Sequence, residues 1–115
     1  MDISKRKVFL FDLDGTITAD ETLPAIASGI SLEKEIKELT ASTILGTTPF
    51  IESFINRVNL LKPYPLSDIK AVLKDIKLHN HLVDFISNNR DICFIVTGNL
   101  DCWIDDLTSR VNCKF

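Results

Sequence analysis

VFLFDLDGTIT, Val8 to Thr18, is the stretch on which the reading of this chain turns. Val8, Phe9, Leu10 and Phe11 run without a polar break into Asp12. A short, continuous run of β-forming apolar residues reads as a strand buried on both faces, as in a parallel sheet. Lys5, Arg6 and Lys7 precede it as a solvated approach. Asp12 and Asp14 are two apart, so at the end of a strand both carboxylates leave on one side and face one point. Gly15 permits the turn this needs. Ligands of open α/β sheets bind beyond the carboxyl ends of the strands, so the placement is that of a site. Two carboxylates aimed at one spot repel unless a cation or proton joins them. Oxygen donors alone favour Mg²⁺, which keeps waters and shares phosphate oxygens. One aspartate can then attack phosphorus, and the other can protonate the leaving oxygen and afterwards activate water. The competing reading is a solvated Asp-Leu-Asp-Gly turn after a core strand.

Composition narrows the class. The chain has 115 residues, 45% hydrophobic and 25% charged, which fits one globular domain or part of one. A net charge of −3 argues against a nucleic acid held by a basic patch. No apolar run approaches the ~20 residues that cross a bilayer, and the N-terminal residues lack an apolar signal core. A cytoplasmic location is expected. Cys93, Cys102 and Cys113 form no CxxC pair, which suits reduced thiols better than a disulfide framework or a zinc site.

Outward from Thr18 the pattern is helical. Ala19–Gly29 carries Leu23, Ile26 and Ala27 at helical spacing, with Gly29 to close the segment and Ser31 to cap the next. Leu32, Ile36 and Leu39 then share a face. Thr48-Pro49 signals another start, cap followed by Pro at the first helical position, before Phe50, Phe54, Val58 and Leu61. Pro63-Tyr64-Pro65 breaks the chain, and Ser67 or Asp68 caps a helix carrying Ile69, Val72, Leu73 and Ile76. A shorter helix with Leu82, Phe85 and Ile86 ends at Asn88-Asn89. His79 and His81 flank the turn before it and read as surface residues.

Ile92–Val96 is a second buried parallel strand, ending in Thr97-Gly98-Asn99. The helix after it has Leu100, Ile104, Leu107 and Val111 on one stripe, with Trp103 off it at an edge. Thr97 with Gly98 can hold a phosphate oxygen through a hydroxyl and adjacent amides, helped by the following helix N-terminus. The same residues also read as a strand-to-helix turn with a good cap. Some 76 residues lie between Gly15 and Ile92, far beyond the roughly dozen a parallel crossover needs. The surplus predicts an inserted helical subdomain placed as a lid over the site. The expected fold is therefore α/β, with a core from residues 1–18 and 90–115 and a helical cap with its connecting helix from 19–89.

The string apolar strand, Asp-x-Asp-Gly-Thr, apolar residue, Thr resembles the first motif of the haloacid dehalogenase-like (HAD) phosphohydrolases. Strand-Thr97-Gly98 resembles their second. The resemblance implies a Rossmann-like HAD core, with Asp12 as nucleophile, Asp14 as general acid/base and a Mg²⁺ ligand through its carbonyl, and Thr97 on the phosphate. Glu21-Thr22, Leu39-Thr40, Gly46, Phe50 and Arg57-Val58-Asn59-Leu60-Leu61 look like the phosphoserine phosphatase branch. That likeness implies substrate contacts for Glu21 and Arg57 and a lid role for Phe50. A guanidinium suits a carboxylate bidentately, and a carboxylate suits an ammonium. Without it, Arg57 reads as an exposed charge on an amphipathic helix and Glu21 as a helix-start acid. Ile44, Pro63-Tyr64-Pro65 and His79-Asn80-His81 depart from the branch's usual residues.

The implied function is Mg²⁺-dependent hydrolysis of phosphoserine or a similar small phosphorylated metabolite, through an aspartyl phosphate. Two further family motifs, a lysine and an acidic pair, belong to later core strands and find no counterpart here. Lys114 lies too close to Thr97 to stand for the lysine. A different class of reading follows: a non-catalytic HAD-like module that binds a protein partner or a second copy to complete its sheet, or an inactive piece of a longer phosphatase.

Overall fold

Continuous apolar runs form both expected strands, and the segment between them is helical. The computed structural model describes residues 7–113; Lys5, Arg6 and Lys114 lie outside them. Strand β1 (Phe9–Phe11) pairs in parallel with β2 (Cys93–Ile95), with Phe9 opposite Cys93, Leu10 opposite Phe94 and Phe11 opposite Ile95. Between them come α1 (Thr22–Gly29), α2 (Glu33–Ile44), α3 (Phe50–Leu61), α4 (Leu66–Lys74) and α5 (Asn80–Asn88), and α6 (Asp101–Val111) follows β2. No helix among the described residues is long and apolar enough to cross a membrane.

Alternation along the strands decides what each sheet face meets. Phe9 and Phe11 stand over Phe85 of α5, ring centroids 5.2 and 6.1 Å away, and their partners Cys93 and Ile95 are buried. The opposite face is bare among the described residues. Leu10 is 65% exposed, with Val8 at 53% and Val96 at 57%. The expectation of β1 buried on both faces is thus wrong for these residues, because nothing described covers the Leu10 side.

Helix starts also differ from the sequence reading. Residues 17–19 run beside 77–79 in a short antiparallel bridge, with Ala19 N–H on the Lys77 carbonyl at 2.8 Å and His79 N–H on that of Ile17 at 2.9 Å. That pairing keeps Ala19 extended, so α1 begins at Thr22. Ser31 is not a cap. It takes a left-handed φ of 63° while Leu32 N–H returns to the Ala27 carbonyl at 2.8 Å, closing α1 in a Schellman turn. Leu32 caps α2. Pro49 and Pro65 are themselves the caps of α3 and α4, each in extended backbone; Ser53 N–H reaches the Pro49 carbonyl at 3.0 Å, and Asp68 N–H that of Pro65 at 3.0 Å. Thr48, Ser67 and Asp68 therefore cap nothing.

Leu13, Ile17, Ile26, Leu73, Ile86, Ile104 and Leu107 form one buried cluster at the centre. Trp103, expected at an edge, is 6% exposed and belongs to it. Helix α4 packs on α6 and α1, whereas α2 packs on α3 and α1. Lys70 and Asp105 tie α4 to α6 at 2.9 Å; their hydrogen bond raises the lysine and lowers the carboxyl, but both face solvent and the tie adds little. The molecule is elongated, 51 × 31 × 21 Å, with a radius of gyration of 16.0 Å. A compact chain of this length has about 13 Å.

Candidate active site

The chain leaves β1 into a tight loop, Leu13–Ile17, closed by Thr18 N–H on the Leu13 carbonyl at 3.0 Å. Leu13 and Ile17 are fully buried and anchor it on both sides. Gly15 turns it with a φ of 71°, which only glycine takes without strain. Thr18, also fully buried, accepts from Gly15 N–H at 3.0 Å and donates to the Asp20 carbonyl at 2.6 Å. This scaffold fixes the aspartates. Asp12 is exposed, and its Oδ1 accepts from Leu13 N–H at 2.8 Å, leaving Oδ2 open. Asp14 is half-buried and turned inward.

Asp14 Oδ1 accepts from Thr22 N–H at 3.1 Å, from the Thr22 hydroxyl and from Asn99 Nδ2 at 3.2 Å. Its Oδ2 lies 3.4 Å from the same amide nitrogen and 3.5 Å from Thr97 Oγ1. Asn99 also donates to the Thr22 hydroxyl at 2.6 Å. Its Oδ1 accepts from Leu100 N–H at 2.8 Å, which fixes which way the amide points. Thr97 Oγ1 accepts from Asn99 N–H at 3.1 Å.

A cleft of about 380 Å³ opens over this network, lined by Asp12, Asp14, Glu21, Phe50, Arg57 and Gly98, together with Thr22, Leu23, Phe54, Asn99 and Trp103. Residues expected from five separate places in the sequence thus meet at one mouth. Thr97 is not on the lining; it stands behind, on Asp14. Phe50 is 65% exposed and stacks on Phe54 at 6.1 Å. The Arg57 guanidinium lies 5.9 Å from the Phe54 ring centroid, with long contacts to the Ser53 carbonyl (3.4 Å) and Thr40 Oγ1 (3.5 Å). No carboxylate among the described residues pairs with it. Glu21 precedes α1 and makes no capping bond of its own.

Sequence reasoning missed Thr22, Asn99 and Trp103. Asn99 was legible as a turn residue, and an amide that accepts at one end still has donors to place. The aspartates supply hard oxygen donors of the kind that suits a divalent cation. Among the described residues no group of three or more Asp, Glu, His or Cys gathers to hold one. Waters and substrate oxygens must fill most of such a shell, and an open cleft leaves room for them.

The sequence matches the model of the haloacid dehalogenase-like hydrolases over residues 9–114. A phosphoserine phosphatase of Methanocaldococcus jannaschii is 26% identical over 114 residues, covering 96% of this chain and 54% of its own. A HAD family hydrolase of Salmonella enterica serovar Typhi superposes with a TM-score of 0.84 at 25% identity, over 93% of this chain and 38% of that one. A phosphoserine phosphatase solved as a phospho-aspartyl intermediate analogue superposes with a TM-score of 0.75 at 27% identity, over 95% and 54%. The chain spans about half the length of the first of these relatives and less of others.

Proposed function

The chain belongs to the haloacid dehalogenase-like hydrolase family, and on that premise we propose that its cleft hydrolyses a small phosphomonoester, phosphoserine or a near relative, with Mg²⁺. One observation carries the reading: Asp12 and Asp14 from the end of β1 share a cleft with Gly98 and Asn99 from the end of β2 and with Arg57 of α3. In this reading the two strand ends form the core side of the site and the helices of residues 19–89 its cap.

Asp12 Oδ2, the oxygen free of Leu13 N–H, attacks phosphorus as the ester P–O bond breaks. Asp14 gives its proton to the departing oxygen. It then takes a proton from water, whose oxygen attacks phosphorus and releases phosphate and the Asp12 carboxylate. Gly98 offers its main-chain N–H to a phosphoryl oxygen. Asp12 and the main chain of Asp14 would hold Mg²⁺, which would supply positive charge against the phosphoryl oxygens. Arg57, with no carboxylate partner among the described residues, takes the substrate carboxylate, and Glu21 its ammonium. Phe50 closes the mouth.

The test is phosphate release from an aryl phosphate and from phosphoserine by this chain, with and without Mg²⁺. Asp12→Asn is expected to remove at least about 1000-fold of the rate. Release equal to that of Asp12→Asn sinks the proposal.

A further inference from the structure

Asp14 is held by more donors than one carboxylate oxygen can use. Its Oδ1 meets the N–H and the hydroxyl of Thr22 and the amide of Asn99. A carboxylate oxygen has two lone pairs, and three donors converge on this one. Oδ2 has only long contacts, at 3.4 and 3.5 Å.

The donors form a directed series. Leu100 N–H donates to Asn99 Oδ1, Asn99 Nδ2 donates to the Thr22 hydroxyl, and that hydroxyl donates to Asp14. Reversing the amide would put its oxygen against a carboxylate, and Leu100 N–H prevents that. Thr22 is 1% exposed, so its hydroxyl finds these partners or none.

We infer that Asn99 and Thr22 are positioning residues for Asp14, fixing the orientation of its carboxylate through Oδ1. This rests on the phosphatase reading for its chemistry but not for its geometry. The tie joins the loop after β1, the first turn of α1 and the turn after β2.

Asn99→Asp keeps the shape and removes the donor, while Thr22→Val keeps the volume and removes the hydroxyl. Each is expected to lower kcat for an aryl phosphate by about 10- to 100-fold, the scale of a slightly misplaced catalytic group, with KM within about threefold. Thr22→Ser restores most of what Thr22→Val loses. A purely structural role would instead move melting temperature with kcat, in serine and valine variants alike, and that pattern overturns the inference. So does an unchanged kcat in both Asn99→Asp and Thr22→Val.

A second readout needs no turnover. In a ¹⁵N-labelled sample the Asn99 side-chain amide is expected to exchange slowly and to shift in Asp14→Ala, together with the Thr22 backbone amide. An Asn99 amide indifferent to Asp14→Ala overturns the positioning claim. If the wild type releases no more phosphate than Asp12→Asn while these resonances respond, the phosphatase reading fails and the positioning of Asp14 stands.

Discussion

Arg57 shows how much a single side chain decides at this site. Its guanidinium is loosely held, at 3.4 and 3.5 Å from neutral oxygens, and points into the cleft from α3. A planar fork without a counter-ion is a receptor for a carboxylate, whereas an ammonium cannot match both oxygens. Arg57→Lys is therefore expected to raise KM for phosphoserine by about tenfold or more, the worth of a charge-assisted hydrogen bond. KM for an aryl phosphate, which has no carboxylate, stays within about twofold. Equal changes for both substrates would remove Arg57 from the substrate contacts. At this scale the sequence was legible wherever chemistry needs a residue type at a fixed offset. The pair Asp12 and Asp14 with Gly15 could be read that way. Asn99 and Thr22 could not, because their role exists only once residues 77 apart meet.

Helices are where local signals misled most and where packing corrected them. Gly29 reads as a helix-closing residue, yet its φ is ordinary and Ser31 makes the left-handed turn. The glycine is there for closeness: a Cβ at 29 would stand 2.5 Å from Val72 Cγ2, 3.0 Å from Cγ1 and 3.3 Å from Cβ. Rotating the valine side chain leaves its Cβ in place, so α1 and α4 must separate. Gly29→Ala gains up to about 1 kcal/mol of helix propensity but overpacks by about 1–3 kcal/mol, so a lower melting temperature is expected. Combining it with Val72→Ala relieves the overlap, and the double variant melts above Gly29→Ala. A Gly29→Ala protein as stable as wild type would show that the helices yield freely. Periodicity located all the helices; what it could not reveal was which neighbour each one faces, as Trp103 demonstrates by lying in the core rather than at its edge.

Across the whole molecule the apolar strands describe a sheet with two covered faces, and the described residues cover one. The Phe9 and Phe11 side meets Phe85, and the side of Val8, Leu10 and Val96 is open. The pattern was legible in VFLF and in CFIV, but no sequence pattern says which polypeptide covers a face. The tie around Asp14 has a consequence in time as well as space. Asn99 is 85 residues from Asp14, almost the same separation as the paired strands. Strand pairing and helix docking bury apolar surface and meet the loop-closure cost; the polar tie adds to an arrangement already made. Its bonds should thus be absent from the folding transition state. Trp103, the single tryptophan, lines the cleft and reports the transition by fluorescence. Asn99→Ala is expected to speed unfolding and leave the refolding rate nearly unchanged, whereas a slowed refolding limb would mean the tie guides the chain together. If it forms last it also opens first, and the hold on the Asp14 carboxylate becomes the part of this protein most readily undone without unfolding the rest.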